Sequence, residues 1–146
     1  MSNVREILKA KDGNIWSVTP HTTVKDTIKL MSEKNVGAVL VLEGKKIMGI
    51  FSERDFIRNA AKTDLCATQE ALVKEMMTTR ILFVNPAQTT EECMSLMTTK
   101  RIRHLPVIDN EELLGFISIG DVVKKIIDDQ KFSISQLEQY VTGGIY

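Results

Sequence analysis

The sequence predicts an α/β (α+β) protein made of two β-α-β-β-α copies packed sheet to sheet about a pseudo-two-fold axis. Three observations lead there. First, the chain matches itself without a gap when shifted by 66 positions, the distance from Val18 to Val84. Ile15 then falls on Ile81, Pro20 on Pro86, Thr23 on Thr89, Leu30-Met31 on Leu96-Met97, Val41 on Val107, Gly49 on Gly115, Ser52 on Ser118 and Asp55 on Asp121. Second, apolar residues inside each copy switch between helical spacing and short continuous runs, which orders the elements. Third, a copy of this size leaves one sheet face uncovered, and a second copy of the same plan is what covers it.

The elements follow in order. Residues 1–14 form an N-terminal helical segment with Val4, Ile7 and Leu8 on one face. The first copy spans residues 15–62. "IWSV" is a short extended run ended by Pro20. "TTVKDTIKLMSEKN" places Val24, Ile28 and Met31 at i, i+4 and i+7, an amphipathic helix. "AVLVL" and "IMGIF" are buried strands joined by the polar turn "EGKK", hence a hairpin. Phe56, Ile57, Ala60 and Ala61 mark the next helix. A linker over 63–76 leads on, with a short helix expected around "TQEALVKEMM". The second copy, 77–129, repeats the plan: "ILFV" ended by Pro86, a helix with Cys93, Met94 and Met97, the strands "LPVI" and "LLGFI" around "DNEE", and a helix with Val122, Val123, Ile126 and Ile127. A tail over 130–146 adds a helical turn or two and a flexible Gly143-Gly144.

Composition narrows the function. Nineteen basic side chains balance nineteen acidic ones, and zero net charge argues against nucleic acid as the partner. No apolar run approaches the ~20 residues of a membrane span, and the N-terminus "MSNVREILKAKDG" lacks a signal-peptide core. The expectation is a cytoplasmic protein with no membrane partner. Cys66 and Cys93 are far apart and form no CxxC pair, so free thiols in a reduced compartment are expected, Cys93 as a small core residue. His21 and His104 are the only histidines, and no HExxH or GxSxG segment is present. The reading is not an enzyme, with no catalytic residue and no metal site.

The repeated plan, the proline after the first strand, "RHLPV", "GIFSERD" and "GFISIGD" resemble cystathionine-β-synthase (CBS) domains in tandem, over roughly residues 15–62 and 77–129. "RIRHLPV", "SIGDVV" and "YVTGG" are similar to the stand-alone CBS-pair proteins. The resemblance implies a regulatory or sensor module, without catalysis, that binds an adenine-containing ligand in clefts between the copies. AMP is the first expectation, with ADP, ATP, NADH and S-adenosylmethionine as others. A homodimer and an unidentified regulated protein are the implied partners. An NAD(H) sensor, or an interaction domain with degenerate clefts, is the alternative.

Site residues carry over position by position. Asp121 in "SIGD" and Asp55 in "SERD" match the family's ribose-binding aspartate, since one carboxylate accepts protons from both hydroxyls of a 2′,3′ diol. Each also opens a helix, so an N-terminal cap with a stabilising effect of about 1 kcal/mol is the plain reading, compatible with the first. Ser118 and Ser52, with Ile119 and Gly120 between Ser118 and Asp121, match the ribose or phosphate contacts. Thr19 is the implied partner of Ser118 and Asp121 in one cleft, and Asn85 of Ser52 and Asp55 in the other. Val18, Val84, Phe51, Ile117 and Ile119 are either an apolar slot for the base or ordinary core. Arg103 and His104 align with a basic pair that meets nucleotide phosphate, where a guanidinium supplies two charge-assisted donors; a solvated basic face is the other reading. The first copy has Gly37 and Ala38 there, so its cleft must draw charge from Arg54, Arg58 or a partner subunit, or hold a neutral nucleoside portion, and the two clefts should differ.

Overall fold

The structure, a computed structural model, describes residues 1–142; the expected Gly143-Gly144 flexibility lies outside the described residues. In chain order the elements are α1 (Val4–Ala10), β1 (Ser17–Val18), α2 (Val24–Lys34), β2 (Ala38–Glu43), β3 (Lys46–Ser52), α3 (Glu53–Ala60), α4 (Leu65–Glu70), a 3-10 turn (Val73–Glu75), α5 (Thr90–Lys100), β4 (His104–Asp109), β5 (Glu112–Ser118) and α6 (Ile119–Thr142). They fall into two compact units. Ile15–Leu82 is the central unit; Met1–Asn14 and the chain from Phe83 onward form the terminal unit.

In the central unit, β1 runs parallel to β2 and β2 pairs antiparallel with β3. Thr23 caps α2 by accepting the Asp26 N–H, and Asn35 ends it in the left-handed region. Val24, Met31, Val39, Val41, Phe51 and Val73 form its apolar core, as the helical spacing of α2 and the apolar run of β2 anticipated. The expected helix around "TQEALVKEMM" is displaced: Asp64 caps α4, which ends at Glu70, and only a 3-10 turn follows.

The terminal unit repeats the hairpin as β4–β5, with a bulge at the equivalent place. Its two-residue turn has Asn110 and Glu111 both at positive φ, the geometry that matches strand twist. "ILFV" does not become a strand. Only Val84 bridges to Val107, its N–H donating to Pro106 O and its carbonyl accepting from Ile108 N. Leu105, Val107, Ile117, Cys93, Met97 and Val122 are buried here. The second copy's last helix and the helical turns expected after it are one element: α6 continues to Thr142, since no Gly or Pro after Gly120 interrupts it.

The segment before each copy plays the same part twice. Val4 N–H donates to Gln88 O, Arg5 N–H to Pro86 O, and Ser2 O accepts from Thr90 N; correspondingly Val73 N–H donates to Thr22 O, Lys74 N–H to Pro20 O, and Ala71 O accepts from Val24 N. Residues 4–8, "VREIL", are thus equivalent to residues 73–77, "VKEMM". This extra stretch repeats at 69 positions rather than 66, because Asp12-Gly13-Asn14 has no counterpart. In both units the docked segment lies over the strand glycine: a Cβ on Gly115 would sit 2.5 Å from Leu8 Cδ2, and one on Gly49 2.6 Å from Met77 Sδ. The glycines therefore mark a close approach beside a bulge.

Candidate functional site

Where β5 ends and α6 begins, Ser118 and Asp121 cap the helix reciprocally. Ser118 N–H donates to Asp121 Oδ2 at 2.8 Å, and Asp121 N–H donates to Ser118 Oγ at 3.1 Å. β4 lies alongside, with His104 opposite Ser118 in the ladder and Ile119 N–H donating to Arg103 O at 2.8 Å. The terminal unit therefore gathers Arg103, His104, Ser118, Ile119, Gly120 and Asp121 at one strand end. Arg103 and Gly120 are exposed, the others partly buried.

A cation completes this group. Lys11, just past the end of α1, donates to Asp121 Oδ2 at 2.7 Å and to Phe116 O at 2.8 Å. The two side chains are 30% and 26% exposed, so the pair is reachable from water. Burial works against ionising Asp121, but the Lys11 and Ser118 hydrogen bonds outweigh it and hold the carboxyl below its ordinary value. His104 behaves otherwise. Its ring stacks on Phe116 with centroids 5.6 Å apart. Burial lowers its pKa to about 4, against an opposing pull from Asp121. It is neutral at pH 7 rather than poised between charge states, so it offers a donor and an acceptor instead of a charge.

The equivalent place in the central unit has the same backbone and different chemistry. Ser52 N–H and Oγ–H both donate to Asp55 Oδ2, at 2.9 and 3.1 Å, and Thr78 Oγ–H donates to Oδ1 at 3.0 Å. Asp55 is 4% exposed, with both oxygens engaged by neutral donors. Gly37 and Ala38 replace the basic pair, and Gly37 O accepts from Glu53 N as Arg103 O does from Ile119 N. Arg54 and Arg58 are exposed on α3.

Thr19 and Val18 belong to the central unit, and Asn85 to the terminal unit. Thr19 exchanges hydrogen bonds with Thr22, and Asn85 Oδ1 accepts from Ala87 N, so both shape the turns before α2 and α5. Phe51, Val84 and Ile117 are fully buried, which makes them core; Val18 and Ile119 are partly exposed. Lys11 and Thr78 were not anticipated. The signal for both was the paired "VREIL" and "VKEMM", which announces that each copy brings its own preceding segment. Among the described residues no group of three or more His, Cys, Asp or Glu side chains is placed to hold a metal, and no helix is long and apolar enough to cross a membrane.

Comparison with known proteins agrees with this architecture. The CBS-domain family profile matches residues 4–62 and 73–128, so each match includes the preceding segment. The mitochondrial CBS domain-containing protein CBSX3 of Arabidopsis thaliana is 32% identical across 98% of this chain and 73% of its own length. A solved protein with CBS domains from Burkholderia ambifaria superposes with a TM-score of 0.81 at 48% identity, covering 88% of this chain and 96% of that one. CBSX2, solved in complex with AMP, gives 0.73 at 25% identity, covering 89% and 99%. With two profile matches that together span most of its length, this chain belongs to the CBS-domain family.

Proposed function

We propose that the chain is a regulatory module that senses an adenine nucleotide, AMP first among them, through the Ser118–Asp121 corner of the terminal unit. One observation carries the reading: Asp121 is ionised and partly open to water, and the hydrogen bonds it accepts from Lys11 and Ser118 both fall on Oδ2. Oδ1 accepts neither, and so is available to ribose hydroxyls. Arg103 supplies the charge-assisted donor for phosphate, and neutral His104 a further hydrogen bond. CBSX2, a relative at 25% identity, was solved with AMP. Thr19 and Val18 enter the proposal through the family resemblance alone, as does Asn85 with Ser52, Arg54 and Asp55. The saturation of Asp55 favours a second reading for that other corner, in which the aspartate is structural and the cleft degenerate. The proposal further makes the protein a cytoplasmic homodimer acting on a regulated partner, with exposed Val123, Ile127, Phe132 and Leu137 of α6 as apolar surface for contact.

Thermal unfolding with AMP, ADP, ATP, NADH and S-adenosylmethionine tests this. A single-site ligand at about 100 times its Kd adds about 2.7 kcal/mol, a rise of roughly 5–10 °C in Tm for a chain of this size. AMP is expected to produce it, and Asp121→Asn, which keeps a capping oxygen, to abolish most of it. No shift with any adenine compound would refute the proposal in favour of an interaction domain.

A further inference from the structure

We infer that Lys11 is a specificity-determining residue of the Asp121 site, making it prefer a phosphorylated nucleoside over the neutral nucleoside. The inference rests on the adenine reading above and adds a residue to it. A lysine ammonium has three N–H donors and no acceptor. Asp121 Oδ2 and Phe116 O take two of them, which leaves one for an incoming anion. The same contact sets the ammonium against the carboxylate that ribose hydroxyls must reach. A neutral nucleoside therefore meets competition from Lys11, whereas a phosphorylated one gains a cation in return. The pair is partly open to water, and ion pairs of this kind hold weakly enough for a ligand to rearrange them.

The protein contains its own control. In the central unit the matching aspartate, Asp55, is satisfied by Thr78, a neutral donor from the matching segment. A cation is thus not required to build the serine–aspartate corner. Arg80, which lies 69 positions after Lys11, is exposed, while Gly37 and Ala38 stand where the terminal unit has Arg103 and His104. Lys11 and Arg103 occur together in the terminal unit, and the charges acting on His104 there include Asp121, Lys11 and Arg103. One cation on the carboxylate and a second at the adjoining strand end suit a ligand that is itself anionic.

Calorimetric titration of AMP and of adenosine into the full chain tests the inference, with Lys11→Met, Lys11→Arg and Lys125→Met. Lys125 meets Glu6 and Asp129 and controls for loss of one positive charge elsewhere. Lys11→Met is expected to weaken AMP by about tenfold or more while leaving adenosine unchanged or tighter. Lys11→Arg is expected to keep the wild-type preference, and Lys125→Met to leave the ratio unaltered. If Lys11→Met weakens both ligands by one factor, or changes neither, Lys11 is a structural tether and the inference fails while the adenine reading stands. If the wild type binds no adenine compound, both fall.

Discussion

Stability should depend on pH through His104 in a way that a single variant can expose. The ring is buried against Phe116, and its pKa drops from 6.5 unfolded to about 4 folded. A depressed value means the unfolded chain binds the proton first. The contribution of neutral His104 is therefore fully present above 6.5, is lost as pH falls, and stops changing below about 4. Burial is the largest cause; Asp121 opposes the shift, while Lys11 and Arg103 reinforce it. Integrating the proton difference from neutral pH down to about pH 5 gives a loss of about 2 kcal/mol. Urea denaturation at intervals across that range measures it, read as unfolding free energy from midpoint and slope. Carboxylates titrating in the same range are removed by comparison with His104→Gln, which should show a flatter profile by that amount. Parallel profiles for wild type and variant would mean that His104 is solvated and protonates freely, and the account of its environment would be wrong.

Two further outcomes follow from the packing. Gly49→Ala should destabilise the protein by about 2–3 kcal/mol and Gly115→Ala by less than about 1 kcal/mol in the same denaturation assay. The added methyl at Gly49 meets Thr78 O at 2.9 Å as well as Met77, and that carbonyl is held in paired hydrogen bonds with Ile50; at Gly115 the three nearest atoms all belong to Leu8, whose side-chain tip can rotate away. Equal costs would show that the docked segments yield as readily as their side chains. A thiol reagent should modify exposed Cys66 quickly and leave Cys93 untouched until the chain unfolds, because Cys93 is fully buried and burial, with Glu92 second, raises its thiol pKa to about 11. Mass spectrometry that finds two modified cysteines at the native rate would contradict the burial of α5.

The amino-acid sequence alone carries the repeat, the order of elements in each copy and the serine–aspartate corners. Those features depend on neighbours three or four residues away: Val24 and Met31 share a face of α2 by helical geometry, and Ser118 reaches Asp121 across one turn. Three matters needed the folded chain. The N-terminal segment joins the terminal unit and delivers Lys11 to an aspartate 110 positions away, a contact with no local periodicity to betray it. The insertion of Asp12-Gly13-Asn14 also shifts that segment out of the register that reveals the rest of the repeat. His104 reads as a basic residue beside Arg103, but the ring of Phe116 and the surrounding burial make it neutral. Finally, two aspartates alike in the sequence differ in the fold, because one segment brings Thr78 and the other Lys11. Spacing along the chain sets which side chains share a face; charge, solvation and hydrogen-bond partners belong to whatever packs on that face from elsewhere.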